Sequence, residues 1–92
     1  MKLTVQYYGQ IGRAAGCAQE TIDCPDNTAL PQLLEVLADR HGEPLRPFLF
    51  NPEGHPSKSL LITVNNSMVS AESNPVLHAG DEVALLPPIS GG

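Results

Sequence analysis

Val83-Ala84-Leu85-Leu86-Pro87-Pro88-Ile89-Ser90-Gly91-Gly92, the last ten residues, decide how this sequence reads. They begin as a strand, with Val83 and Leu85 on one side and Ala84 and Leu86 on the other. Pro87 and Pro88 stop the ladder, because neither has an N–H to donate and each fixes φ at about −65°. Beyond them the sequence runs through small or apolar residues to the carboxylate of Gly92. A glycine pair has no Cβ and can lie in a channel too narrow for other residues. No Lys, Arg, Asp or Glu follows Leu85, so a partner's tunnel for this arm can be apolar and dry. Residues 1–86 then form one domain, and residues 87–92 form a thin arm that presents a carboxylate for activation by another enzyme. A frayed terminus is the plainer alternative; the apolar strand and the Pro-Pro step directly before the glycines argue against it.

Upstream, Gly80-Asp81 turns the chain into this strand. Leu60, Ile62 and Val64 alternate as the inward side of another strand over residues 60–65, Asn66-Ser67 reads as a tight turn, and residues 68–70 as its short return. Residues 71–79 carry no clear period, with Leu77 as their anchor. At the other end, Leu3, Val5 and Tyr7 alternate with Lys2, Thr4, Gln6 and Tyr8 in a half-buried strand. The glycine-rich stretch 9–16 reads as a wide hairpin loop; it lacks the Gly-Lys-Ser/Thr ending of a phosphate cradle. Residues 18–24 form a second strand with Ala18, Ile22 and Cys24 on one face. Leu30, Leu33, Leu34 and Leu37 fall at i, i+3, i+4 and i+7, the stripe of an amphipathic helix. Thr28 is its expected N-cap, Pro31 sits in its first turn, and His41-Gly42 supplies a cation-capable end and a stop. Residues 44–50, with two prolines, read as a short 3₁₀ turn packing Phe48 and Phe50 on the core, and residues 51–59 as a loop. The order β-β-α-β-β-β predicts an α+β fold: a mixed sheet of about five strands with one main helix on one face.

Composition narrows the function. Ninety-two residues make one domain with a modest core. The formal charge is −5 with five scattered Lys and Arg, which argues against nucleic acid. Residues 1–5 lack the apolar run of a signal peptide and nothing reads as a membrane span, so the cytoplasm is the expected compartment. Cys17 and Cys24 bracket a strand, about 20 Å apart at 3.3 Å per residue, too far for a disulfide; two thiolates also cannot hold an iron–sulfur centre. His41, His55 and His78 share no ligand spacing, so no metal site is expected. Asp81 and Glu82 would point to opposite faces of a strand and cannot act as a pair. The body of the domain reads as a handle, not an enzyme.

The run Gly80-Asp81-Glu82-Val83-Ala84-Leu85-Leu86-Pro87-Pro88-Ile89-Ser90-Gly91-Gly92 resembles the C-terminus of the MoaD family, the small subunits of molybdopterin synthase, which belong with the ThiS-type sulfur carriers; the resemblance implies their ubiquitin-like β-grasp fold, which the order β-β-α-β-β-β suits. Val64-Asn65-Asn66-Ser67-Met68-Val69 resembles the family's V-N-x-x-x-V hairpin, and residues 1–8 its first strand. The resemblance implies that Gly92 is the reacting residue: a ubiquitin-activating-type adenylyltransferase uses ATP to make its acyl-adenylate, and sulfur converts that to a thiocarboxylate. Leu86, Pro87, Pro88, Ile89, Ser90 and Gly91 would guide the arm into a partner's active site, that of the molybdopterin synthase large subunit or another sulfur acceptor. The chain itself would bind no cofactor. The loop 51–59 is longer than in shorter carriers of the family and leaves other clients open: cysteine, thiamine, tungsten cofactor or thiolated tRNA. Conjugation to lysines as a ubiquitin-like modifier, or a plain binding module, are the readings from other classes.

Overall fold

Alternation in Lys2–Tyr7 makes strand β1: Leu3, Val5 and Tyr7 are buried on one face. The computed structural model describes residues 1–88. On one side β1 pairs antiparallel with β2 (Gln19–Asp23), and on the other parallel with β5 (Glu82–Leu86). Strand β3 (Leu61–Val64) lies antiparallel beyond β5, and β4 (Ser67–Val69) closes the edge, giving the sheet order β2-β1-β5-β3-β4. This is the mixed five-stranded sheet that the sequence predicts.

Helix α2 (Leu30–His41) covers one face of that sheet. Its stripe Leu30, Leu33, Leu34 and Leu37 is fully buried and belongs to one core with Leu3, Val5, Ile22, Ile62, Val83 and Leu85. Burying a leucine side chain contributes about 1.5–3 kcal/mol before the entropy of ordering it, so this stripe is the largest single block of the core. Leu77 is buried as expected, and its N–H donates to the Thr28 carbonyl at 2.9 Å.

Five local expectations are corrected. The glycine-rich stretch is not a loop: Gln10–Ala15 forms helix α1, anchored by buried Ile11 and Ala15 one turn apart. Burial of Ile11 overrides the poor helix propensity of Gly12. Gly12 is there for space, since a Cβ would sit 3.0 Å from the Tyr7 carbonyl oxygen. Strand β2 is shorter than residues 18–24, and Ala18 is exposed. Thr28 does not cap α2. Its buried hydroxyl donates to the Pro25 carbonyl at 2.6 Å, while Ala29, held extended by a bridge to Val76, precedes the helix. The Gln32 side chain reaches back to accept the Ala29 N–H at 2.9 Å, and the Pro75 carbonyl accepts the Leu30 N–H at 2.8 Å. The expected 3₁₀ turn is a single α-helical turn, α3 (Arg46–Leu49), whose deepest anchors are Leu45 and Leu49. Finally, the hairpin turn falls one residue earlier than read. Asn65 and Asn66 both have positive φ, at 51° and 70°, which is the type I′ pattern that suits the twist of a two-residue hairpin.

Candidate functional site

Strand β5 carries the root of the arm. It runs between β1 and β3, and Leu86 pairs with Leu61 at its end. The Tyr8 N–H donates to the Leu85 carbonyl at 3.0 Å, closing the ladder on the β1 side. Pro87 is half-buried and packs over Gly9; a Cβ at Gly9, whose φ is +56°, would lie 3.1 Å from Pro87 Cγ. Pro88 is exposed. Of the residues expected to guide the arm, Leu86 ends a central strand and Pro87 and Pro88 follow it. Ile89, Ser90, Gly91 and Gly92, the last expected to be the reacting residue, lie outside the described residues.

The sheet face opposite α2 is apolar near this root. Alternation turns Ala84 and Leu86 to that face, and register places Leu61 beside Leu86, Thr63 beside Ala84, and Met68 beside Thr63. Met68 is 65% exposed. Farther out, the face becomes polar with Thr4, Gln6, Gln19 and Thr21. At the opposite end of β5, Asn65 ties the hairpin down: its Nδ2–H donates to Asp81 Oδ1 at 2.9 Å and its Oδ1 accepts the Glu82 N–H at 3.0 Å.

A second concentration of chemistry lies on the α2 face. Glu20 shares its side of β2 with buried Ile22, an inward position for a charged residue on an edge strand. Its carboxylate is matched by three groups. The Tyr7 hydroxyl donates to Oε2 at 2.5 Å, His41 Nε2 lies 2.5 Å from the same oxygen, and Arg40 Nε donates to Oε1 at 2.9 Å. The Tyr7 and His41 rings meet edge-on with centroids 5.7 Å apart. Arg40 and His41 sit in the last turn of α2, where the helix dipole favours positive charge. Burial pushes the Glu20 carboxyl up, but the hydrogen bonds from Tyr7, His41 and Arg40 and the charge of His41 outweigh it, leaving the carboxyl below its ordinary range. Burial, then the bond to Glu20, pushes the Tyr7 hydroxyl far above its ordinary value. Cys17, just before β2, completes the group; its thiol is pushed up by burial and by the Glu20 charge. One donor atom each from Cys17, Glu20 and His41 lies within 4.8 Å of the other two. Spacing in the sequence misses this group because its members come from a loop, a strand and a helix end. The signal that could have found it is Glu20 itself, a carboxylate in phase with the core residues of its strand.

A five-stranded mixed sheet carrying one main helix, with β1 and β5 parallel at its centre, defines a ubiquitin-like β-grasp protein. The ThiS family matches residues 5–92, and the chain belongs to that family. It is 28% identical to the molybdopterin synthase sulfur carrier subunit of Chlamydomonas reinhardtii over the full length of both chains. The solved structure of SAMP1, the small archaeal modifier protein 1, from Haloferax volcanii superposes with a TM-score of 0.89 at 23% identity, covering all of both chains. Urm1 from Trypanosoma brucei superposes at 0.77 with 23% identity, over 99% of this chain and 95% of that one. These relatives are small carrier or ubiquitin-like proteins. Among the described residues no helix is long and apolar enough to cross a membrane.

Proposed function

We propose that this protein is a sulfur carrier of the cytoplasm that donates sulfur in molybdopterin synthesis through Gly92. The observation that carries the reading is the arm root of a ThiS-family chain: Leu86 fixed at the end of a central strand, Pro87 against Gly9, and a sequence that continues to Gly91-Gly92. A partner adenylyltransferase supplies ATP. The Gly92 carboxylate attacks the α-phosphorus and pyrophosphate leaves, which turns a poor leaving group into AMP. A hydrosulfide equivalent then attacks the carbonyl carbon, the bond to AMP breaks, and a thiocarboxylate remains. The carrier binds no cofactor of its own; catalysis belongs to the activating enzyme and to the acceptor. The apolar residues Leu86, Leu61 and Met68 beside the root are the docking surface for these partners. The relative from Chlamydomonas reinhardtii, matched end to end, favours a molybdopterin synthase large subunit as the acceptor.

The test is the mass of the C-terminal peptide after incubation with activating enzyme, ATP and a sulfur donor. Replacement of oxygen by sulfur at Gly92, sensitive to thiol alkylation, is the expected result. Localisation to that peptide separates it from oxidation of Met1 or Met68. Deleting Gly92 abolishes the modification and leaves the fold intact; normal sulfur transfer by the truncated chain refutes the reading. The same acyl-adenylate captured by a lysine amine gives an isopeptide, the modifier chemistry in the name of the archaeal protein of like fold. Gly92-dependent conjugates on a denaturing gel, with no thiocarboxylate, would favour that second reading.

A further inference from the structure

We propose that Cys17, Glu20 and His41 bind a thiolate-accepting divalent metal ion, Zn²⁺ foremost. The inference is independent of the sulfur-carrier reading and uses none of the arm.

The donor set selects the ion. One thiolate, one imidazole and one carboxylate are ligands that zinc accepts together, whereas magnesium and calcium take oxygen alone. The three donor atoms already lie within 4.8 Å of one another. Tetrahedral zinc, with Zn–S near 2.3 Å and Zn–N near 2.05 Å, needs a sulfur-to-nitrogen separation of about 3.6 Å. The sulfur therefore closes on the pair by at most about 1.2 Å, and the His41 Nε2–Glu20 Oε2 pair opens from 2.5 Å to about 3.3 Å, both within rotamer reach. The three ligands come from separately fixed elements: the loop after α1, strand β2 and the last turn of α2. The side chains of Glu20 and His41 are 13% and 15% exposed, so the site is largely enclosed while leaving an entry path.

Outer groups are already aligned. Tyr7 donates to Glu20 Oε2 and Arg40 to Oε1, so the carboxylate is oriented before any metal arrives. His41 Nε2 lies 2.5 Å from Glu20 Oε2. Zinc takes that place: the proton between Nε2 and the carboxylate and the proton of the Cys17 thiol both leave to solvent, and the Nε2 lone pair, the carboxylate and the thiolate turn to the metal. Carboxylate and thiolate together cancel the two positive charges of the ion. Arg40, which would otherwise repel it, stays on the far oxygen, in a chain of formal charge −5. Three protein ligands leave the fourth position to a water molecule.

The full-length protein, prepared with the ordinary Gly92 carboxylate and stripped with chelator, is titrated with zinc chloride and, separately, with Co²⁺. One equivalent binds, and Co²⁺ gives the thiolate-to-metal charge-transfer band and the visible bands of a tetrahedral site. Cys17→Ser removes the charge-transfer band and weakens zinc binding by more than the roughly ten- to hundredfold expected for loss of an outer hydrogen bond in Tyr7→Phe. His55→Gln with His78→Gln, both away from the site, leaves binding unchanged. Should Cys17→Ser fail to fold, alkylation of the wild-type protein decides: zinc slows iodoacetamide labelling of the Cys17 peptide, while Cys24 is buried and a poor target with or without metal. Unchanged zinc affinity in Cys17→Ser, an octahedral cobalt spectrum, or labelling of Cys17 at the same rate with and without zinc overturns the proposal.

Discussion

Glu20→Ala in the metal-free protein tests whether the carboxylate cluster holds the edge of the sheet to the end of the helix. The structure sets the magnitude. Tyr7 is buried and its hydroxyl donates to Glu20; leaving a buried hydroxyl without an acceptor costs about 1–3 kcal/mol. His41 is also largely enclosed and loses a hydrogen bond, for about 1 kcal/mol more. Arg40 is 56% exposed, so its ion pair adds only about 0–1 kcal/mol. Against these stands relief of the cost of burying the carboxylate, which leaves a net loss of about 2–3 kcal/mol. For a domain of this size that corresponds to a fall in Tm of roughly 10–20 °C. Urea unfolding with chelator present would show a lower midpoint at unchanged m, and Glu20→Gln, which keeps an acceptor for Tyr7, would lose less. The pH dependence has a definite sign. The folded carboxyl titrates below its unfolded value, so its stabilisation is complete above about pH 4.3 and is lost as pH falls through the lower folded value. Wild type therefore loses more stability than Glu20→Gln in that acid window. A Glu20→Ala protein within about 0.5 kcal/mol of wild type, or parallel acid profiles, would refute the reasoning.

Two further substitutions separate local propensity from tertiary fit. Gly12→Ala gains about 1 kcal/mol of helix propensity, but its Cβ meets the Tyr7 carbonyl oxygen at 3.0 Å, and that oxygen belongs to a strand paired on both sides. We expect a net loss of about 1–2 kcal/mol by chemical denaturation; equal or greater stability would mean that α1 can swing clear. Asn65→Ala loses the bonds to Asp81 and Glu82 and also forces alanine into positive φ, whereas Asn65→Gly loses the bonds alone. The alanine variant should be the less stable of the two by about 1 kcal/mol, the left-handed penalty, and equal midpoints would show that the turn is not held as drawn.

What the sequence discloses follows from where its information is local. The stripe at 30, 33, 34 and 37 and the alternation at 3, 5 and 7 are fixed by the geometry of a helix and a strand, so both are legible before any tertiary contact is known. Helix α1 is not, because six residues containing a glycine have no helical tendency of their own; the helix exists through the burial of Ile11 and Ala15. Thr28 fails as a cap for a related reason. The bridge between Ala29 and Val76 sets the path into α2, and a segment more than forty residues away cannot be read from a capping pattern. The arm is an expectation from composition: Pro-Pro fixes φ and Gly-Gly frees the backbone wherever they occur, and residues 89–92 lie outside the described ones. The Cys17–Glu20–His41 group is the opposite case: no two of its members are related by helix or strand spacing across one element, and only the register of β2 on β1 and the exit point of α2 bring them together.

That register also relates the two sites. Both lie at the C-terminal end of β1: Tyr7 pairs with Leu85 on one side, and its N–H donates to the Ala18 carbonyl on the other at 2.8 Å. Successive residues of a strand face opposite ways. The inward Tyr7 hydroxyl serves the Glu20 cluster beneath the end of α2, while Leu86 and Leu61 pair on the uncovered face beside the arm root. A partner that grips the root from that face would leave the cluster on the other uncovered, so the activation proposed above would need no partner to reach Glu20. The coupling left between them is mechanical and runs through β1 itself, because the Tyr7 carbonyl oxygen is the wall against which Gly12 of α1 packs and Tyr8 supplies the last ladder bond to β5. Changes to the cluster should therefore reach the arm by altering the stability of the sheet end, and not by contact with whatever holds the arm.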